Sequence, residues 1–171
     1  MGENIEIPGR QSVRTPMQWS AAKNGGFSSA TASRLVAAPP SDGYAPQHVN
    51  VDAQLGDDES LLQFVQRLAV RYRASAEMGW GRFEVIEQEQ PAVLAHSLTA
   101  DVGRFVALHN FSDVPVETTI ELDDDPDAVA LSDLLGPERI ALDERNSAAI
   151  ELPPYGYRWL RVVRPGDGRL S

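Results

Sequence analysis

The sequence predicts a mainly β protein, an antiparallel β-sandwich preceded by a long loop and one helix. Three observations carry that expectation. From Arg82 to Val163 the apolar pattern has period two and is cut by turn residues about every 8–12 positions. A helical period occurs once, around Leu61 to Tyr72. Before it, Pro8, Pro16, Pro39, Pro40 and Pro46 stand among Gly2, Gly9, Gly25, Gly26, Gly43 and Gly56, a density that interrupts any regular element.

The loop region therefore runs from residue 1 to about 56. A loop of that length in a compact protein is functional or disordered, and Trp19, Phe27 and Tyr44 predict one packed through its aromatic rings. Asn24-Gly25-Gly26 reads as a turn, because no Lys-Ser/Thr follows to make it a phosphate loop. Asp57, Asp58 and Glu59 supply a cap and an acidic first turn to a helix over 58–75. Its stripe is Leu61, Val65, Leu68 and Tyr72, with Arg71 and Arg73 at the negative end of the helix dipole and Gly79 and Gly81 as the stop. Strands are expected at 82–87, 93–99, 104–110, 114–122, 128–131, 140–142, 148–152 and 157–163, in series, which favours antiparallel pairing. The tail RPGDGRLS lacks apolar content and is expected to fray.

The 171 residues carry 15 basic and 25 acidic side chains, a net charge of -10, and are too few for a complete (β/α)8 barrel of about 250 residues. Without a clustered basic patch, phosphate backbones and anionic lipid lack their main attraction, so neither nucleic acid nor membrane is expected as a partner. Zero Cys excludes disulfides, thiol nucleophiles and Cys-ligated metal. The first ten residues have no apolar run able to serve as a signal segment, so a cytoplasmic location is the default expectation.

Few residues point to chemistry. The run Asp123-Asp124-Asp125-Pro126-Asp127 lies between two strand windows and reads as a solvated turn. His48, His96 and His109 lack the spacing of a helical zinc site, and the latter two fall in strands, which suggests sheet residues rather than ligands. No G-x-S-x-G elbow marks a nucleophile. No metal and no cofactor is expected. Arg10 and Arg14 stand apart: two guanidinium groups in a Pro/Gly-rich loop, followed at once by Thr15-Pro16-Met17-Gln18-Trp19. Fixed donors beside an indole suit a sugar, although structural ion pairs would use the same residues.

The segment VRTPMQWS at 13–20, with Asn24-Gly25-Gly26-Phe27 after it, resembles the stretch that follows the eighth barrel strand in the α-amylase superfamily, glycoside hydrolase family thirteen. The resemblance is to its trehalose synthase, α-glucosidase and oligo-1,6-glucosidase branch. Met1-Gly2-Glu3-Asn4 looks like the exit of that strand, while Tyr44, Val49-Asn50-Val51, Gln54 and Ser60-Leu61-Leu62 resemble the run into the last barrel helix. Gly79-Trp80-Gly81 resembles the entry to the C-terminal sandwich, and Pro154-Tyr155-Gly156-Tyr157-Arg158-Trp159 its closing strand.

The resemblance implies two parts, residues 1–78 as the tail of a (β/α)8 barrel and 79–171 as a C-terminal β-sandwich. It implies that Arg10 reaches the sugar at the subsite of the non-reducing glucosyl unit, and that Arg14 lies at the rim on the acceptor side. It implies an α-glucoside or maltooligosaccharide as the ligand of a complete, retaining enzyme. The nucleophile and general acid of that family lie on earlier barrel strands, so this sequence holds no catalytic residue, and the chain alone is expected to be inactive unless a separate barrel fragment complements it. A stand-alone carbohydrate-binding or interaction sandwich is the alternative.

Overall fold

The computed structural model describes residues 8–167, and the side chains of Gln11 and Ser12 fall outside that description. Met1-Gly2-Glu3-Asn4, read above as a strand exit, lies outside the described residues. The chain forms two compact units, Met1–Arg67 and Leu68–Ser171, which divide within one helix.

In the first unit, 3-10 turns at Gly9–Val13, Lys23–Gly26, Ala32–Arg34 and Asp42–Tyr44 lead to a short helix, α1, at Val51–Leu55. Backbone and amide hydrogen bonds order this region. The amides of Trp19 and Ser20 donate to the Gly25 carbonyl at 2.7 and 3.1 Å, and the amides of Val51 and Asp52 donate to the carbonyls of Gln18 and Trp19 at 2.9 and 3.0 Å. Gln18 Nε2 donates to the Tyr44 and Val49 carbonyls at 3.1 and 2.7 Å. The expected aromatic packing is not what holds the loop: Trp19, Phe27 and Tyr44 are all largely exposed. Asn24, Gly25 and Gly26 take three successive left-handed conformations, with φ of 54°, 67° and 70°. A Cβ on Gly26 would come 2.5 Å from Ser20 Oγ, so the turn needs glycine there for space as well as for conformation. Asn50 caps α1 through Oδ1, which accepts from the Ala53 amide at 2.9 Å. This helix went unread in the sequence because five residues leave no measurable period.

The predicted helix is present as α2, Leu61–Ala74, shorter than the expected 58–75 at its start. Asp57 does not cap it. Its Oδ1 accepts from the Glu59 amide inside the preceding turn, and Ser60 Oγ takes the capping position, accepting from the Gln63 amide at 3.3 Å. No residue of α2 is buried, and Leu61, Val65, Val70 and Tyr72 are exposed. Nor do Gly79 and Gly81 simply stop it: the chain breaks at Ser75 and resumes as α3, Ala76–Trp80, with Gly79 inside.

The second unit carries eight strands: β1 Arg82–Ile86, β2 Val93–Ala100, β3 Gly103–Asn110, β4 Val116–Glu121, β5 Ala130–Asp133, β6 Arg139–Ala141, β7 Ser147–Leu152 and β8 Tyr157–Val163. They form a six-stranded sheet in the order β1-β2-β3-β8-β5-β6 and a two-stranded sheet β4-β7, with every pair antiparallel. The predicted antiparallel sandwich is thus observed. Alternation sends Ala95, Val106, Leu108, Leu131, Leu160 and Val162 of the large sheet toward Ile120, Ile150 and Leu152 of the small one, and this is the principal core. Burying each such aliphatic side chain contributes about 1.5–3 kcal/mol.

Ion pairs and a side-chain clamp hold the sandwich margins. The Asp123–Asp127 run is the turn expected from its charge, with Asp123, Asp124 and Asp127 exposed, but Asp125 departs from that reading and is buried. Asp124 Oδ1 accepts from Arg104 Nη1 at 2.7 Å, and buried Asp125 is gripped by Arg164. Arg164 is held by Asp125 and its amide donates to Asp167 Oδ2 at 2.9 Å, while the end of the tail, read above as frayed, lies outside the described residues. Asn110 clamps the β3 exit, donating from Nδ2 to the Val114 and Pro153 carbonyls and accepting from Ser112 through Oδ1. At the start of the unit, Glu77 of α3 is completely buried, with Oε1 3.2 Å from Arg161 Nε.

Candidate functional site

Arg10 lies in the first 3-10 turn and Arg14 just beyond it, and both side chains are exposed. Arg14 lines a cavity of about 440 Å³ together with Phe27, Ser28, Arg34, Leu35 and Val36. Arg34 is a residue that the sequence analysis missed. It sits alone in a Ser/Ala-rich run, and only the folding of residues 28–37 past Thr15-Pro16 brings it to the same cavity. On the other side of Thr15 and Pro16 lies a second cavity, about 330 Å³, lined by Met17, Gln18, Tyr44, Val49 and Gln54. Thr15 and Pro16 thus line both hollows, and the residues that follow are held by the Gln18 side chain and by the Gly25 carbonyl, which accepts from the Trp19 and Ser20 amides. Such a loop can orient a polyhydroxylated ligand through guanidinium donors, and the residues that line the two cavities include no carboxylate to attack or protonate an acetal.

The sandwich offers acids, and one group of them lines a cavity. Glu87, Glu89, Glu117, Glu121, Asp123 and Asp124 line a cavity of about 680 Å³ between the end of β1 and β4. Arg104 holds Asp124 below the usual carboxylate range, first through its hydrogen bond. That shift runs opposite to what a general acid needs. Among the described residues, no cluster of three or more His, Asp or Glu side chains is placed to hold a metal ion. No helix among them is long and apolar enough to cross a membrane.

His96 and His109, read as sheet residues, do lie in β2 and β3 and face outward from the large sheet. Their rings stack, with centroids 6.2 Å apart and planes 5° from parallel. Phe83 and Phe105 flank His96 at 5.3 and 6.3 Å, and Phe111 and Tyr157 flank His109 at 6.3 and 6.5 Å. Burial lowers the pKa of both imidazoles, and for His96 the neighbouring His109 lowers it further.

The β-sandwich and the loop that precedes it define a class of protein. Residues 1–80 match the family described as Alpha amylase, catalytic domain, and residues 103–161 match Sucrose hydrolase-like, C-terminal domain. The chain belongs to the α-amylase superfamily.

Within it, the chain is 34% identical over 170 residues to the trehalose synthase of Pimelobacter sp. (strain R48), covering 96% of this chain and 30% of that protein. It is 45% identical over 98 residues to the trehalose synthase/amylase of Mycolicibacterium smegmatis, covering 56% of this chain and 16% of that one. In three dimensions it resembles the trehalulose synthase of Pseudomonas mesoacidophila MX-45, with a TM-score of 0.63 at 23% identity, covering 90% of this chain and 26% of that one. The chain therefore spans under a third of the length of these relatives.

Proposed function

We propose that this chain supplies the substrate-orienting loop and the C-terminal sandwich of a retaining enzyme acting on α-glucosides, of trehalose synthase or α-glucosidase type. Residues 1–78 serve as the barrel tail and 79–171 as the sandwich. The observation that carries this reading is the placement of Arg14 beside Thr15 and Pro16, which line both cavities, next to Gln18, whose side-chain amide bonds the Tyr44 and Val49 carbonyls. A loop built that way is suited to holding Arg10 and Arg14 toward an α-glucoside or maltooligosaccharide bound in a cytoplasmic enzyme.

Two-step glycosyl transfer needs a carboxylate nucleophile and a raised-pKa acid on opposite sides of the anomeric carbon. Neither is assigned to any residue of this chain, which is accordingly inactive by itself. The test is to assay the purified 171-residue protein on maltose and p-nitrophenyl α-glucoside, alone and mixed with a separately produced barrel portion of the Pimelobacter relative. No turnover alone and recovery on mixing is the expected result. Turnover by the chain alone, free of contaminating enzyme, would overturn the reading.

One observation favours the alternative, a non-catalytic carbohydrate-binding module. Trp80 is 88% exposed and lines a cavity of about 360 Å³ with Arg82, Thr99 and Asp101. Maltooligosaccharide affinity that disappears in Trp80→Ala would establish it, and absence of affinity would remove it.

A further inference from the structure

The basic residues of this acidic chain are unevenly placed. Residues 8–41 carry Arg10, Arg14, Lys23 and Arg34 and no acidic side chain, although the whole chain has a net charge of -10. Two of these basic residues meet in one hollow: Arg14 and Arg34 line the cavity of about 440 Å³ together with Phe27, Ser28, Leu35 and Val36. Among the described residues neither guanidinium is ion-paired. The backbone beneath them is held by hydrogen bonds. Asn24 Nδ2 donates to the Ser28 and Ala30 carbonyls at 2.8 and 2.9 Å. The Arg34 and Leu35 amides donate to the Thr31 and Ala32 carbonyls at 2.9 and 3.1 Å, which closes the 3-10 turn that carries Arg34.

The donor set says which ligand fits. A guanidinium only donates, through N–H groups in a fixed fork, and no carboxylate lines this cavity to accept from a ligand hydroxyl. The side-chain acceptors on offer are the hydroxyls of Thr15 and Ser28, and Ser28 Oγ already accepts from the Ala30 amide at 3.1 Å. A neutral sugar, whose hydroxyls donate as well as accept, leaves part of its hydrogen bonding unmet there. A phosphate monoester dianion only accepts, matches both forks, and brings the negative charge that two unpaired guanidinium groups lack. Phe27, Leu35 and Val36 give the same cavity an apolar side suited to the C–H groups of a sugar ring. Basic residues so few and so spread fall short of the many phosphate contacts that a nucleic-acid backbone needs, whereas two in one hollow match a single phosphate.

We propose that Arg14 and Arg34 form an anion site that takes the phosphate group of a sugar monophosphate, with the sugar ring toward Phe27, Leu35 and Val36. Arg34 is the residue that sets this specificity: Arg14 also serves a neutral sugar in the function proposed above, whereas the second guanidinium has a use only when the ligand is charged. That the bound sugar phosphate meets glucosyl transfer, as acceptor or as inhibitor, rests on that function, but the anion site itself does not. Free inorganic phosphate offers the same dianion without a ring, so only the sugar ester gains from the apolar side of the cavity.

The test is calorimetric titration at pH 7.5 with glucose 6-phosphate, glucose and inorganic phosphate, on the 171-residue protein alone and mixed with the barrel portion of the Pimelobacter relative. Glucose 6-phosphate is expected to bind about tenfold more tightly than either of the other two. Arg34→Gln should weaken that binding by about ten- to a hundredfold, the loss of one charge-assisted contact. Arg34→Lys should recover part of it, and Lys23→Gln, outside the cavity, should leave it unchanged. Val36 is 89% exposed, so Val36→Glu should leave the fold intact while placing a carboxylate in the cavity and abolishing binding. Equal affinity for inorganic phosphate and glucose 6-phosphate would overturn the assignment to a sugar ester. No binding of either phosphate, or binding that survives both Arg34→Gln and Val36→Glu, would overturn the site. Recovered glucosidase activity on mixing without glucose 6-phosphate binding would sink this inference and leave the proposed function standing. Binding at Arg34 in a mixture that never turns over maltose would do the reverse.

Discussion

Arg164 grips Asp125 with both prongs of its guanidinium: Nε donates to Oδ1 at 3.0 Å and Nη2 to Oδ2 at 2.6 Å. Asp125 is buried, and its backbone is fixed as well, its carbonyl accepting from Asn146 Nδ2 at 2.6 Å and from the Ala128 amide at 3.0 Å. One carboxylate thus ties the last strand's exit to the β4–β5 connection. A paired, bidentate and largely buried contact of this kind is worth more than a surface ion pair. Asp125→Ala should cost about 2 kcal/mol through the charge left on Arg164. Urea denaturation read by circular dichroism checks this, and an unchanged midpoint would contradict it.

The glycine turn is a second point of fragility. Gly26→Ala places a methyl where Ser20 Oγ stands and forces an L-residue to φ near 70°. A cost of about 1–3 kcal/mol to the loop is expected, with faster hydrogen exchange at the Trp19 and Ser20 amides. Ser20→Ala in the same chain should restore only the steric part, because the backbone conformation still favours glycine.

The stacked histidines set a pH dependence for the sandwich itself. Their folded pKa values lie below the ordinary 6.5, so folding favours the neutral form. Above 6.5 both folded and unfolded chains are neutral there, and the contribution is fully present. As pH falls through 6.5 toward the lowered folded values, the unfolded chain takes up protons first and stability declines. Thermal melts from pH 7.5 to 5 should show this fall, and His96→Gln/His109→Gln should flatten it.

In a reconstituted or chimeric enzyme, Arg10→Ala or Arg14→Ala should lower kcat/KM by an amount equivalent to about 2–4 kcal/mol, with the sandwich melting normally. Steady-state kinetics on maltose decides this. Activity within twofold of the parent would remove the arginines from the substrate-orienting role.

The strands were legible because alternation is a local signal: each of the eight windows contains or overlaps an observed strand, from Arg82–Ile86 to Tyr157–Val163, the poorest being 128–131, which shares only Ala130 and Leu131 with Ala130–Asp133. Helix α2 was legible for the same reason, through its stripe. What was not legible depends on partners distant in sequence. Nothing local distinguishes Asp125, held by Arg164, from Asp123 beside it. Ser60 displaced Asp57 as the cap because Asp57 found a nearer amide. The aromatic residues of the loop suggested packing, yet the Gln18 amide and the Gly25 carbonyl order it, and hydrogen bonds of that type leave no periodic trace. Arg10 and Arg14 could be picked out by composition, whereas Arg34 reaches the Arg14 cavity only through the fold.

Gly103 opens β3 with φ at 153°, and a Cβ there would lie 2.7 Å from Glu77 Oε1. Any larger residue at 103 must expel that carboxylate from its site beside Arg161. Positions 77 and 103 should accordingly drift as a couple across the lineage: homologues that keep the acid keep the glycine, and those that have lost one are free to have lost the other.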